Sequence, residues 1–274
     1  MRKVTYNGVE IPQKGFGTFL STGISAYDSV KWALEAGYRL IDTAAVYENE
    51  EEVGKAIKDS GIKREDITIC TKLFAESYGY ESTLRSFDES LNRLGMDYID
   101  IYLIHWMPRK YEDLLDTWRA LEEIYNSGKA RAIGLCNTTL YYLDRLMRDS
   151  SVKPMVFQFE FSPYLQQDIT IEYCKEHNIV YEFYGMFSKG AVFKDEALKE
   201  LAKKYNTTVS SLVISLGLDK GAVTLSKSIH KDRIADNYNN CFKLTDEQRH
   251  ELYSMNDGVR HYRDPENNPY AIKR

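Results

Sequence analysis

The chain has 274 residues, 43% hydrophobic and 28% charged, with a formal net charge of −5 and a pI near 5.7. That balance suits one globular domain with a large core and excludes a typical nucleic-acid binder, which needs a strong basic excess. Cys70, Cys136, Cys174 and Cys241 form no C-x-x-C pair and read as reduced thiols; with no apolar signal segment at the start and no apolar run of the roughly 18 residues a membrane helix needs, a cytoplasmic protein without membrane contact is expected.

In chain order, Asn7-Gly8 between Val4-Thr5-Tyr6 and Val9-Glu10-Ile11 predicts a hairpin. GFGTF, Gly15–Phe19, follows as a short strand with glycines. Strand-like runs then recur at Arg39–Asp42, Ile67–Lys72, Tyr98–His105, Ala130–Leu135, Met155–Glu160, Ile179–Tyr184 and Ala222–Lys227. Helical patterns lie between them, at Ala26–Ala36, Glu50–Ser60, Tyr80–Leu94, Tyr111–Ser127, Leu140–Arg148, Ile169–His177 and Glu196–Tyr205. Two more follow, at Lys231–Asn240 and Thr245–Met255. Asn49 with Glu52, and Thr245 with Gln248, have capping-box spacing.

Regular alternation of strand and helix implies parallel strands joined by crossover helices. Counting GFGTF first, the pattern gives eight units. That number in a chain close to the usual ~250 residues predicts a (β/α)8 barrel, residues 1–274 forming one domain with an N-terminal hairpin and an extra C-terminal helix.

Barrel active sites lie at the C-terminal ends of the strands. There the sequence offers Asp42, then Lys72 in TKLF, then His105 in LIHW, with Tyr47 from the loop after Asp42. Each alone has a plainer role: a strand-end cap, a snorkelling amine, a core histidine, a packed ring. Together they suit carbonyl reduction. A free tyrosine has a pKa near ~10, and a neighbouring ammonium favours its phenolate. Lys72 supplies the ammonium, Asp42 orients it, Tyr47 acts as general acid, and His105 donates a hydrogen bond to the substrate oxygen. No set of His, Cys or Asp has metal-ligand spacing, so no metal is expected.

Reduction needs a hydride donor, yet no strand-linked G-x-G-x-x-G is present. Instead SKSIHKDRIADN, Ser226–Asn237, runs from the last strand into a helix. Lys227 and Ser228 sit where a helix N-terminus would face an anion, and Arg233 adds a guanidinium suited to phosphate. Two other classes stay open. One is a phosphate-binding aldolase or isomerase with Lys72 as a Schiff-base amine; the other is a nucleotide-binding module with little catalysis.

GFGTF, GYRLIDTAAVYENEEEVG, TKLF, LNRLGMDYIDIYLIHW, GKARAIGLCN and KSIHKDRIADN stand in the order found in aldo-keto reductases, and the likeness runs on to DPENNPY, Asp264–Tyr270. The chain resembles the compact form of that family, the diketogluconate reductase and prostaglandin F synthase type. The resemblance implies NADPH as cofactor, a small-molecule carbonyl substrate, and a monomer. It places a catalytic tetrad on Asp42, Tyr47, Lys72 and His105. It implies that Asn137 and Gln158 contact the nicotinamide amide, that Tyr184 stacks on the ring, that Lys227, Ser228 and Arg233 surround the 2′-phosphate, and that Asn237 contacts adenine. Trp106 and Phe19 would line the substrate pocket.

The cofactor shell departs from the family pattern. Cys136 replaces a serine, and Gly185-Met186-Phe187 replaces Ser-Pro-Leu. Ser226 and Met107 stand where prolines are usual. Cysteine donates hydrogen bonds weakly, and the missing proline is expected to loosen the loop after Tyr184. Binding of NADPH weaker than is typical follows. Short loops, such as Met107–Lys110, imply an open pocket and broad carbonyl acceptance.

Overall fold

A computed structural model describes residues 2–267. Two short strands, β1 (Arg2–Val4) and β2 (Glu10–Pro12), pair antiparallel with Val4 opposite Glu10. The turn is longer than a two-residue one, since the Thr5 N–H donates to Val9 O at 3.0 Å and Gly8, at φ +89°, bonds back to Thr5 O. The hairpin closes the N-terminal end of the barrel. Asn7 donates to Arg131 O and Tyr6 to Lys153 O, both near strand starts, and Ile11 is fully buried beneath.

Eight parallel strands then form a closed barrel. They are β3 (Lys14–Gly17), β4 (Leu40–Asp42), β5 (Thr68–Leu73), β6 (Ile99–Ile104), β7 (Ala130–Cys136), β8 (Val156–Glu160), β9 (Val180–Tyr184) and β10 (Val223–Ser226). β10 pairs with both β9 and β3, which closes the ring. These strands read as near-continuous apolar runs because both faces are covered, by barrel interior on one side and helices on the other. β5 and β6 are buried along their whole length.

The outer ring is α1 (Gly23–Ala36), α2 (Glu50–Asp59), α3 (Tyr80–Leu94), α4 (Tyr111–Asn126), α5 (Leu140–Asp149), α6 (Asp168–Glu176), α7 (Glu196–Lys204), α8 (Val209–Asp219) and α9 (Lys231–Asn239), with α10 (Asp246–Tyr253) beyond. Thr245 and Gln248 form the expected capping box. Asn49 does not. Its side chain makes no cap bond and instead donates to Thr18 O at 3.1 Å and Ser21 O at 2.8 Å, while accepting from Thr43 at 2.7 Å. It ties the loop after β3 to the loop after β4.

Helix α8 is absent from the sequence reading, and its burial explains why. Leu212 to Gly217 are buried in succession, so the helix lacks the polar face that betrays a 3.6-residue period. Its remaining signal is Thr208, whose hydroxyl caps the Ser211 N–H at 3.1 Å.

Buried charges lock helices to the barrel wall. Glu50 at the start of α2 accepts from Thr71 at 2.6 Å and Arg93 at 2.8 Å. Asp100 on β6 accepts from Arg64 at 2.7 Å and Arg131 at 3.3 Å. Helices α2 and α3 also meet backbone to backbone, where a Cβ on Gly54 would lie 2.1 Å from Leu94 O. Carbonyls in a helix terminus cannot yield by that much, so Gly54→Ala is expected to cost about 2–3 kcal/mol in urea unfolding; an unchanged midpoint would show that the helices slide apart freely.

Candidate active site

The strand ends deliver the four expected residues to one mouth. Asp42 is the last residue of β4 and pairs in register with Cys70 on β5. Two residues on, Lys72 points inward, and its side chain is wholly buried. Its Nζ donates to both Asp42 oxygens at 2.7 Å and to Thr43 O at 2.8 Å. All three ammonium protons are thereby used. Burial is the largest single influence and works to lower the Lys72 pKa, but Asp42, Tyr47, Cys70 and Cys136 together outweigh it and the net shift is well upward.

Tyr47 sits in a single helical turn, Ala45–Tyr47, that ends in left-handed backbone at Glu48. That turn swings its ring over the mouth. Lys72 Nζ lies 5.4 Å from the ring centroid. The hydroxyl is 3.4 Å from Nε2 of His105, which directly follows β6. Phe19, just past β3, packs on the other side with ring centroids 5.2 Å apart.

The protonation states differ from the simple expectation in one respect. Lys72 does pull the Tyr47 pKa down, but burial is the larger influence and raises it. The ring is buried, and Asp42, which holds the ammonium, offsets part of the Lys72 pull. Tyr47 is therefore a neutral phenol at neutral pH. His105 shifts well downward, through burial and then Lys72, so its ring is neutral and carries one N–H. Its Nδ1 has no hydrogen-bond partner among the described residues.

This arrangement argues against a Schiff-base lysine. A nucleophilic amine must lose its proton and reach solvent, whereas Lys72 is buried, paired and held charged.

The expected cofactor residues fall in two groups. Asn137, in left-handed backbone after β7, donates to His105 O at 3.0 Å and to Cys136 Sγ at 3.1 Å. Its Oδ1 accepts from Tyr184 at the end of β9. Gln158 on β8 donates to Asp42 Oδ2 at 2.9 Å and to Glu182 Oε2 at 2.8 Å, leaving Oε1 with only the Cys136 thiol at 3.6 Å among the described residues. The second group lies beyond β10. Lys227 is half-buried, Ser228 accepts from the His230 N–H at 3.1 Å, Arg233 is exposed, and Asn237 is buried on α9. Burial lowers the Lys227 pKa. Trp106 is buried in the loop after β6, and Phe19 is about half exposed.

The loop after Tyr184 is anchored despite its missing proline. Met186 is buried, and the Ser188 N–H donates to Gly185 O at 2.8 Å. Gly185 has φ +70°, and a Cβ there would lie 2.6 Å from the Tyr262 ring. The C-terminal segment thus fills the space a side chain would take.

Two residues with site roles were not singled out from sequence. Glu160 ends β8 and accepts from the His261 N–H at 2.7 Å, the Tyr262 N–H at 3.2 Å and Arg260 at 3.2 Å, pinning the tail beside Tyr184. Glu182 lies fully buried within β9. Burial, then Asp42, raises its carboxyl to about 7. The available signal was a charge inside an otherwise apolar strand, VYEFY, for Glu182 and a charge closing the strand VFQFE for Glu160. Asp42, Cys70 and Glu182 place possible ligand atoms within 4.8 Å of one another, but the Lys72 ammonium already occupies Asp42 and would repel a metal cation.

The sequence model of the Aldo/keto reductase family matches residues 15–257. Glyoxal reductase of Bacillus subtilis is 43% identical over 93% of this chain and 92% of its own. The crystal structure of an aldo-keto reductase enzyme, MGS-M4, from a Medee basin deep-sea metagenome library superposes with a TM-score of 0.94 at 41% identity, covering 97% of this chain and 99% of that one. A silkworm (Bombyx mori) aldo-keto reductase solved with NADPH gives a TM-score of 0.88 at 29% identity, over 96% of this chain and 90% of that one.

The buried ion pair makes a sharp prediction. Asp42→Ala leaves an unpaired buried ammonium and is expected to cost about 3–5 kcal/mol in unfolding free energy. Adding Lys72→Met should recover most of that loss; a double variant as unstable as Asp42→Ala would show that the pair is not the source.

Proposed function

The chain belongs to the aldo/keto reductase family, and we propose that it reduces aldehydes or ketones to alcohols with NADPH, with Tyr47 as the proton donor. The observation that carries this reading is the Lys72 ammonium, fixed by Asp42 beneath the Tyr47 ring with His105 alongside. NADPH when bound supplies the hydride. The chain supplies everything that handles the proton.

Tyr47 enters the reaction as the neutral phenol that a proton donor must be. Its acidity is low at rest, and the proton moves only as negative charge builds on the substrate oxygen. The phenolate then left behind faces Lys72, and that attraction strengthens in a water-poor pocket. Lys72 keeps its own protons because Asp42 and Thr43 O hold them. The neutral His105 ring offers its N–H to the same substrate oxygen and orients the carbonyl. Phe19 and Trp106 supply apolar walls.

The residues present fit the cofactor. Gln158 Oε1 has no strong partner, and Asn137 stands beside it. Tyr184 offers a ring at the end of β9, and Lys227, Ser228 and Arg233 gather at the start of α9 where an anion is favoured. Asn237, one helical turn beyond Arg233, would contact the adenine. Cys136 puts a weakly donating thiol where the family usually has a hydroxyl, which supports the expectation of weaker NADPH binding than is typical. The similarity to glyoxal reductase makes small reactive aldehydes the first substrates to try.

Tyr47→Phe is expected to lower kcat by about a thousandfold while leaving the NADPH dissociation constant within about twofold. Equal turnover of parent and variant would remove Tyr47 from the proton step. Arg233→Ala is expected to weaken NADPH about tenfold and leave NADH unchanged in fluorescence titrations. Equal losses for both would mean that Arg233 does not read the 2′-phosphate.

A further inference from the structure

We propose that Glu182 is a positioning residue for the cofactor: together with Asp42 it orients the Gln158 amide so that the carbonyl oxygen, Oε1, is the atom presented to the nicotinamide carboxamide. The inference rests on the reading of Gln158 as a cofactor contact and adds to it which end of the amide does the contacting and what enforces that choice.

A glutamine amide has a donating nitrogen and an accepting oxygen of nearly equal shape. Nothing in its own geometry decides which end faces outward. Here two carboxyl groups lie beneath it. Gln158 Nε2 donates one proton to Asp42 Oδ2 at 2.9 Å and the other to Glu182 Oε2 at 2.8 Å. Both protons of the nitrogen are used. A half-turn of the amide would set its oxygen against both acceptors, losing two buried hydrogen bonds and opposing lone pairs to lone pairs.

Asp42 and Glu182 are not equivalent in this. Asp42 accepts two bonds from Lys72 and is committed to the proton-donating side of the site. Glu182 has one hydrogen bond, the one from Gln158; its Oε1 has no partner among the described residues. A fully buried carboxyl is costly to keep, and orienting Gln158 is the one task its contacts show. The strand register supports this. Cys136, Gln158 and Glu182 are successive partners across β7, β8 and β9, so their side chains stand in one row inside the barrel. At the other end of that row the Cys136 thiol, 3.6 Å from Gln158 Oε1, is a weak donor. The oxygen is left with acceptor capacity to spare. It therefore selects the N–H side of a carboxamide.

The test compares two ligands that differ at that N–H. NADP+ carries the carboxamide; its acetylpyridine analogue carries a methyl ketone in its place, with no N–H to give. Parent, Glu182→Leu and Glu182→Gln are titrated with both, after circular dichroism confirms that each is folded. Glu182→Leu is expected to weaken NADP+ about fivefold and to leave the analogue within about twofold. Glu182→Gln keeps an acceptor for Nε2 and is expected to restore parent affinity for NADP+. Equal losses for the two ligands, or no loss for NADP+, would overturn the inference. Should Glu182→Leu not fold, Glu182→Asp, whose carboxyl is withdrawn from Gln158 by one methylene, carries the same expectation. A parent that binds neither ligand would instead refute the cofactor reading on which the inference stands.

Discussion

The site depends on one buried ion pair. Lys72 has no exposed side-chain surface, and Asp42 and Thr43 O take all its protons. Placing such a charge inside a barrel costs several kcal/mol unless it is fully paired. The pairing fixes the rest of the site. It demands that β4 end at Asp42 and that β5 run two residues beyond its in-register partner. It holds the ammonium beneath the Tyr47 ring. It also helps keep His105 neutral, so that the imidazole offers an N–H without carrying a charge. The phenol is neutral because little water reaches it, whereas the ammonium withstands the same dryness only because Asp42 and Thr43 O pair it.

The same carboxylate connects the two halves of the proposed chemistry. Asp42 receives Lys72, which lies under the proposed proton donor Tyr47, and Gln158, the proposed cofactor contact. Around that centre the chain has exchanged pieces without losing enclosure. Cys136 stands where a hydroxyl is usual in the family, and its thiol still points at Gln158. Gly185 gives up a side chain, and the Tyr262 ring, held by the Glu160 latch on the tail backbone, fills the space. A loop that sequence alone suggests is loose is packed by a residue far away in the chain.

The barrel and the tetrad were legible because both rest on local pattern. Apolar runs ending in Asp42, Lys72 and His105 mark strand ends directly, and the capping box at Thr245 marks α10. What escaped lies where tertiary context overrides pattern. Helix α8 is buried all round and so has no amphipathic stripe. Asn49 has cap spacing, but its amide serves two loop carbonyls. The Tyr47 acidity is set by burial, which no spacing reveals and which outweighs the nearby ammonium. The last three residues of the tail motif Asp264–Tyr270 lie outside the described residues. Among the described residues no helix is long and apolar enough to cross a membrane.

The central claim is that this mouth moves a hydride to a carbonyl carbon and a proton to its oxygen. The most direct measurement is a single turnover of methylglyoxal with excess protein and NADPH deuterated at the transferable position of the nicotinamide. The account predicts deuterium on the carbinol carbon of the product and none in solvent. Saturable NADPH binding with no deuterium transferred to this or any other reactive aldehyde would contradict it, and would make the chain a nucleotide-binding barrel that has kept the arrangement of a reductase without its reaction.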